Sequence, residues 1–259
     1  MRDIPFTSGR IVPGMTALLL LAACSATSFG GSSSNDSLAD RAAASGDFST
    51  AAELYQQAFE ANPNSVDALV GLGKSYTGMG QFTRGETALL EAKSRSPRDA
   101  DVLLELGRSQ IAGGKSQAAL VNLDAALKRK PRSIPIITAR GIALDRLSRH
   151  PEAQSNYRVG LAIDPVNFAL LSNLGLSLGL SGQTGEGIGI LRELMRDNEA
   201  SQRTRGNLAL VYGLAGRERE ARATLASDLT PSQINSNITY YRELRALLQS
   251  GQPIGGLQK

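Results

Sequence analysis

The chain has 259 residues, and its 28 lysines and arginines slightly outnumber its 24 aspartates and glutamates. Apolar residues make up 41% of it, aromatic residues only 5%, and tryptophan is absent. The modest charge is scattered along the sequence, which argues against a nucleic-acid-binding surface with its concentrated basic face and stacking aromatics. Alanine, leucine and glycine dominate, which favours closely packed helices over sheets rich in branched and aromatic residues.

The N-terminal residues have the pattern of a signal peptide. Arg2 and Arg10 supply its positive charge, and residues 15–23 form an apolar stretch. That stretch is too short to cross a bilayer, because a membrane-spanning helix needs about 20 apolar residues. It ends in the sequence LAAC at residues 21–24, which resembles the lipobox of bacterial lipoproteins. Residues 1–23 are therefore predicted to be removed.

Cys24 is the only cysteine of the chain, and the lipobox cysteine is the residue that carries the lipid. We expect cleavage between Ala23 and Cys24, a covalent lipid on Cys24, and no other cofactor. Ser25 stands where lipoproteins retained at the inner membrane carry aspartate. The resemblance therefore implies an outer-membrane lipoprotein whose folded part faces the periplasm. An ordinary secreted or membrane-anchored protein is the alternative.

The residues that follow the lipobox predict a flexible tether. Residues 24–36 are rich in serine and glycine and poor in apolar side chains. Such a segment buries too little surface to order itself, and it would hold the folded part away from the lipid.

Two residue ladders share one period in the next part of the chain. Prolines and glycines each recur every 34 residues, and the two ladders keep a fixed phase. The prolines are Pro63, Pro97, Pro131 and Pro165, and the glycines are Gly73, Gly107, Gly141 and Gly175. A period of 34 is typical of the tetratricopeptide (TPR) helix–turn–helix repeat. The sequence therefore predicts an all-α protein, a right-handed superhelical TPR solenoid.

Placing each proline at position 32 of the unit divides residues 32–235 into about six repeats. Their predicted bounds are 32–65, 66–99, 100–133, 134–167, 168–201 and 202–235. A small residue at position 8 lets helices A and B of one unit approach closely, and a glycine at position 15 ends helix A. The proline at position 32 ends helix B. The fifth and sixth units lack this proline, as end units of a solenoid often depart from the consensus.

The chain after the repeats predicts one more helix. Thr230 and Pro231 have the residue types of an N-cap and a first helical turn. Residues 236–249 carry apolar side chains at helical spacing, which predicts a capping helix. Residues 250–259 are expected to be frayed.

Two short sequence patterns and the single histidine resemble catalytic or metal-binding motifs, and each has a simpler structural interpretation. The sequence GLSLG at residues 175–179 matches G-x-S-x-G, but it falls inside a predicted helix A, and the only histidine, His150, precedes it. Two Gly-Lys-Ser runs lack the first glycine of a P-loop. His150 has no cysteine or second histidine with which to share a metal, so we expect it to be an exposed turn residue. No catalytic residue, metal site or small-molecule substrate is predicted.

The concave face of a TPR solenoid is lined by its A helices and typically holds an extended or helical protein segment. Positions 2, 5, 6, 9, 12 and 13 of each unit usually point to that face. The candidate binding residues at these positions are Lys74, Arg108, Asn173, Arg203 and Asn207. Asparagine amides can pair with a bound backbone, and basic side chains can pair with an acidic side chain or a terminal carboxylate. The alternative is that all five are ordinary solvated residues.

The C-terminal part of the chain carries a more specific resemblance. The sequences NLGL at residues 173–176, RGNLALVYGLAGREREARATL at residues 205–225 and NITYYRELRAL at residues 237–247 resemble the TadD family. These are the TPR lipoproteins of tight-adherence (Tad/Flp, type IVb) pilus systems. The resemblance implies a non-enzymatic, outer-membrane-anchored scaffold or pilotin-like factor. Its implied partners are the secretin or other pilus-assembly components. An accessory of another envelope machine, such as β-barrel insertion or a different secretin system, is the alternative.

Overall fold

A computed structural model describes residues 31–196, 202–252 and 254, without the side chains of residues 31–36. Over these residues the chain forms thirteen α-helices and no strand. They are α1 Gly31–Ala44, α2 Phe48–Ala61, α3 Val66–Gly78, α4 Phe82–Arg95, α5 Ala100–Ala112, α6 Ser116–Arg129, α7 Ile134–Arg146, α8 His150–Leu161, α9 Phe168–Leu180, α10 Thr184–Leu194, α11 Gln202–Leu214, α12 Glu218–Leu225 and α13 Pro231–Gln249. The predicted signal peptide, Cys24 and the first part of the tether lie outside the described residues.

The helices stack as a solenoid of helix pairs. From α3 to α12, each odd-numbered helix packs against the even-numbered helix that follows it, and each odd-numbered helix from α3 onward also packs against the next odd-numbered one. In the first pair, Ala39 of α1 is fully buried with Ala51 and Tyr55 of α2. The odd-numbered helices α1 to α11 are therefore the A helices of six units, and α13 takes the place of a seventh. This confirms the predicted TPR solenoid with a C-terminal capping helix.

The glycine ladder marks the closest approach of helix A to helix B. A Cβ added at each of these glycines would come within 2.2–2.7 Å of a side chain in the following helix B. The pairs are Gly73 with Leu89, Gly107 with Leu123, Gly141 with Tyr157 and Gly175 with Leu191. Each partner lies 16 residues after its glycine, so one contact repeats in four consecutive units. Position 8 is small because the side chain at position 24 fills its space.

Position 15 ends helix A in a left-handed backbone conformation. Five of these positions hold glycines with φ between +75° and +88°: Gly46, Gly80, Gly114, Gly182 and Gly216. The fourth unit has Ser148 instead, and its φ is +59°. The turn is therefore kept even where the glycine is missing, at the steric cost that a Cβ imposes in this region.

The proline ladder lies just beyond the ends of the B helices. Helices α2, α4 and α6 end two residues before Pro63, Pro97 and Pro131. Helix α8 ends at Leu161, four residues before Pro165, and helices α10 and α12 end without any proline at position 32. Proline therefore marks the boundary of the first four repeats, and in the sixth unit the turn that follows helix B forms without it.

Three boundaries differ from the prediction. Helix α1 begins at Gly31, close to the predicted start of the first repeat at residue 32, so residues 31–36 of the predicted tether are helical. Helix α13 begins at Pro231 with Thr230 as its N-cap, which confirms the residues predicted for the helix start and extends the capping helix beyond its predicted range of 236–249. Thr230 and Gln233 form a capping box there. Ile254 is only 2% exposed, so the segment predicted to be frayed contains a buried residue.

None of the helices within these described ranges combines the length and apolar content needed to cross a bilayer.

Candidate functional site

A cavity of about 470 Å³ opens on the face formed by the A helices, and we call it the groove. Its walls come from α5, α7, α9, α11 and α13, with one residue from α8. Its apolar walls include Ile111, Ile142, Leu176, Leu180, Leu210 and Leu244. Its polar residues include Arg108, Asp145, Arg146, Asn173, Arg203 and Asn207. The groove thus combines an apolar surface with several hydrogen-bonding groups, as protein-binding and ligand-binding clefts do.

The repeat register explains why these side chains converge. Every groove residue contributed by α5, α7, α9 and α11 occupies position 2, 6, 9, 12 or 13 of its unit. Residues three and four apart lie on the same face of a helix, so these positions form one stripe. Stacking of successive A helices places the stripes side by side.

Four of the five predicted binding residues line the groove. Arg108 comes from α5, Asn173 from α9, and Arg203 and Asn207 from α11. Lys74 does not, because it lies on α3 and no residue of that helix contributes to the groove. The repeat position predicted which face of α3 Lys74 occupies, but the groove begins only at the third unit.

The two exposed arginines of the groove differ in their local partners. Arg108 donates from Nη1 to Oε1 of Glu105 over 2.7 Å, one turn away on the same helix. Arg203 is exposed and makes no ion pair with any residue in the described ranges. Within the described ranges no ion pair holds its guanidinium, which can therefore donate to a bound carboxylate or carbonyl group.

The two asparagines also differ. Asn207 donates from Nδ2 to Oγ of Ser172 over 3.1 Å, which fixes its amide plane between α11 and α9. Asn173 is half-buried, and its amide has no hydrogen-bond partner among the residues that the structure describes. An amide held at the wall of a cavity with free donors and acceptors can pair with both groups of a bound peptide bond.

Asp145 of α7 is the centre of a buried hydrogen-bond network at the wall of the groove. Its Oδ1 accepts from Nδ1 of His150 over 2.8 Å and from Oγ of Ser177 over 2.6 Å. Its Oδ2 accepts from the hydroxyl of Tyr157 over 3.0 Å. Burial raises the pKa of Tyr157 well above its ordinary value of 10, and the charge of Asp145 adds to this effect. One carboxylate thus ties together α7, α8 and α9.

The position of His150 corrects the expectation that it is exposed. It is 6% exposed at the start of α8, and its Nε2 is buried without a hydrogen-bond partner among the described residues. No local pattern indicated this burial, because Asp145 and His150 meet only through the turn held by Ser148.

The G-x-S-x-G lookalike is part of a repeat helix, as expected. Ser177 is fully buried inside α9, and its hydroxyl donates to Asp145. Ser177 and His150 both bond to the carboxylate and no hydrogen bond joins them to each other. A serine nucleophile has to reach a substrate and face its base, whereas Ser177 is buried and donates to Asp145, so this trio has the geometry of a structural network.

The charge of the groove is positive. Among the described residues that line it, Asp145 alone is acidic, and both of its oxygens already accept hydrogen bonds. Arg108, Arg146 and Arg203 supply three cations. Arg146 donates from Nη1 to the carbonyl of Ile111 over 3.0 Å, and burial lowers its pKa from the ordinary value. A buried cation in an apolar wall attracts an anionic group more strongly than a solvated one.

Within the described ranges, no three histidine, cysteine, aspartate or glutamate side chains come together as a metal site would require.

Comparisons with known proteins agree with the helical architecture. Residues 42–104 match the family model of the tetratricopeptide repeat. A tetratricopeptide repeat protein from Parabacteroides merdae ATCC 43184 is 17% identical, over 85% of this chain and 91% of that one, with a TM-score of 0.65. The thermophilic TPR protein TTC0263 of Thermus thermophilus is 19% identical, over 81% and 98%, with a TM-score of 0.51.

A further structure, that of MamA protein, is 22% identical over 65% of this chain and 92% of that one, with a TM-score of 0.52. A search of curated proteins finds no match. At these identities the likenesses establish the fold alone. The chain therefore has the fold of a TPR solenoid, and its residues 42–104 match the sequence model of that repeat.

Proposed function

We propose that the chain is a non-enzymatic scaffold that holds a segment of another protein in the groove. The observation that carries this proposal is the convergence of Arg108, Asn173, Arg203 and Asn207 in one cavity. These residues come from three different helices and share only their place on the stripe of repeat positions that faces the groove. A solenoid offers such an extended concave surface for binding proteins, and TPR folds typically serve in this way.

The chemistry of the groove defines the segment that fits it. The apolar walls favour aliphatic side chains, and the three arginines favour an acidic side chain or a terminal carboxylate. Asn173 can pair with the backbone of the segment. The proposed ligand is therefore a short stretch of protein that combines aliphatic and acidic groups.

The finer role that we propose is in the cell envelope. The lipobox at residues 21–24 supports a lipoprotein anchored through Cys24, and Ser25 supports the outer membrane as its destination. The resemblance of residues 205–225 and 237–247 to the TadD family supports a role in building a Tad/Flp pilus, with a secretin or another assembly component as the bound partner. Another envelope assembly machine is the second candidate.

Charge reversal in the groove tests the proposed function. A strain without the chain would be complemented with the Arg108→Glu, Arg203→Glu double variant, with Lys74→Glu as the matched control outside the groove. We expect the double variant to lose pilus assembly and co-purification with the secretin, because two acidic groups repel an acidic segment. The control should retain both. Equal behaviour of the two variants would contradict the groove as the binding site.

The same strain discriminates the two envelope roles. Loss of surface pili with normal porins supports pilus assembly, whereas a general loss of porins supports β-barrel insertion. Substitution of Cys24 by serine should abolish metabolic labelling with palmitate. Labelling that persists in the Cys24→Ser variant would contradict the lipid anchor.

A further inference from the structure

The groove already contains a residue from the C-terminal end of the chain. Ile254 lines its wall and is only 2% exposed. It packs in one cluster with Leu214 of α11 and Leu244 of α13, and the half-buried Leu180 and Leu210 flank that cluster. The Ile254 side chain therefore forms one apolar wall of the groove, and we call the place that it occupies in this cluster the aliphatic subsite.

A turn at the end of α13 directs the chain back toward the groove. Gly251 adopts a φ of +72°, and its N–H donates to the carbonyl of Leu248 over 3.1 Å. The N–H of Gln252 donates to the carbonyl of Leu247 over 2.9 Å. These two bonds are those of a Schellman motif, in which a left-handed glycine ends a helix and reverses the chain.

Ile254 differs from the rest of the groove in how it is attached. All other residues that line the cavity belong to helices α5, α7, α8, α9, α11 and α13. Ile254 follows the last helix and takes part in no helix pair. It can therefore leave the aliphatic subsite without separating any of the repeats.

We infer that Ile254 occupies the place of a partner's side chain. If the groove binds a protein segment as proposed above, the aliphatic subsite takes one branched aliphatic residue of that segment. That residue and Ile254 compete for the same space. Ile254 thus keeps the aliphatic subsite filled until a partner with an aliphatic anchor displaces it. The exposed guanidinium of Arg203 lies at the same groove and would pair with the acidic part of that partner.

The apparent affinity for a partner follows from this competition. For a ligand that binds only the open groove, the apparent affinity equals the intrinsic affinity multiplied by the fraction of molecules in which the groove is open. Removal of the isoleucine side chain should therefore strengthen binding about tenfold or more, because a buried aliphatic side chain favours the closed form by at least that ratio.

The test uses a synthetic peptide with the sequence of residues 250–259, SGQPIGGLQK, as the probe. The purified full chain carries labelled leucine methyl groups, and the peptide is titrated to millimolar concentration while the methyl signals of Leu180, Leu210 and Leu244 are followed by NMR. Millimolar peptide is needed because a short flexible link gives the tethered residue an effective concentration of about that size.

We expect the peptide to shift these signals in the Ile254→Ser chain with an affinity about tenfold higher than in the unchanged chain. A peptide with serine in place of isoleucine should cause no shift in either protein. The Val166→Ser chain, altered at an exposed aliphatic residue, should behave like the unchanged one. A chain ending at Gln252 is the second variant if Ile254→Ser folds poorly.

Equal affinities of the unchanged and Ile254→Ser chains, or no shift in either, would overturn the inference. That result would not contradict the proposed scaffold function, which is tested separately by charge reversal at Arg108 and Arg203, because neither arginine belongs to the aliphatic subsite. Peptide binding to Ile254→Ser, together with pilus assembly that is unaffected by charge reversal, would instead support the subsite and contradict the proposed function.

Discussion

At the scale of single residues, the contact between Gly141 and Tyr157 shows how strictly the repeat is packed. A Cβ at position 141 would come within 2.2 Å of the Tyr157 ring, which is fully buried. The Gly141→Ala change would displace the ring and strain its bond to Asp145. We expect a net loss of about 2 kcal/mol in the free energy of unfolding, even though alanine favours a helix by about 1 kcal/mol over glycine. Urea denaturation followed by circular dichroism measures this loss.

Gly189 provides the matched control for this change. It lies within α10, and apart from its chain neighbours and the nearby backbone of its own helix, no atom stands within 4 Å of a Cβ added there. The Gly189→Ala change should raise the free energy of unfolding by about 0.5–1 kcal/mol, because alanine loses less backbone entropy on folding. If both changes had the same sign, the close approach of the helices at position 8 would not explain the glycine ladder.

At the scale of elements, α13 depends on its N-cap. Thr230 accepts from the N–H of Gln233, and the side chain of Gln233 accepts from the N–H of Thr230 over 2.9 Å. The Thr230→Ala change removes half of this capping box and should cost about 1 kcal/mol. Because the terminal elements of a solenoid open independently, we expect faster hydrogen exchange in α13 with little change in the central repeats.

Thr239 serves as the control within the same helix. Its hydroxyl donates to the carbonyl of Asn235 over 3.1 Å, a bond that does not cap the helix. The Thr239→Ala change should leave hydrogen exchange in α13 unchanged or slightly slower. Equal acceleration by both changes would show that the cap does not stabilise α13. Since Tyr240 and Leu244 line the groove, a loosened α13 also loosens one of its walls.

A second element-scale prediction concerns the junction between the second and third repeats. Glu86 of α4 accepts from Gln110 of α5 over 3.0 Å and from Lys115 over 2.5 Å. The bond from Lys115 holds the pKa of Glu86 below its ordinary value of 4.5. This pair therefore stabilises the fold fully above about pH 4.5, and the stabilisation is lost as the pH falls through the lowered pKa.

The Glu86→Gln change should cost about 0.5–1 kcal/mol at pH 7. The difference between the two proteins should shrink when urea denaturation is repeated at about pH 3, because the carboxylate of Glu86 then becomes protonated. Other titrating groups are common to both proteins and cancel in the comparison. A difference that stays constant or grows in acid would contradict the assigned role of Glu86.

At the scale of the whole molecule, the period of 34 residues predicted most of what the structure contains. The register assigned helices A and B, the glycine turns and the face on which Arg108 and Asn173 lie, because each of these depends only on spacing within a unit. Lys74 has the correct register and still lies outside the groove. The extent of the cavity depends on how successive units stack, which spacing within one unit does not determine.

The Asp145 network and Ile254 could not be predicted for a related reason. Asp145 and Ser177 are separated by 32 residues and meet only through the stacking of α7 and α9. A single aspartate in an amphipathic helix has the same local pattern as a solvated one. Ile254 follows the last periodic element, so no repeat position indicated its burial. Contacts between units and contacts of the tail therefore require the three-dimensional structure.

The central claim is that the groove formed by the A helices binds a segment of another protein. A photo-crosslinking amino acid placed at Leu176 in the groove, and separately at the exposed Val121 on α6, tests it in the native cells. We expect a discrete protein adduct from position 176 that disappears in the Arg108→Glu, Arg203→Glu background, and no adduct from position 121. An adduct from position 121 with none from position 176 would contradict the account.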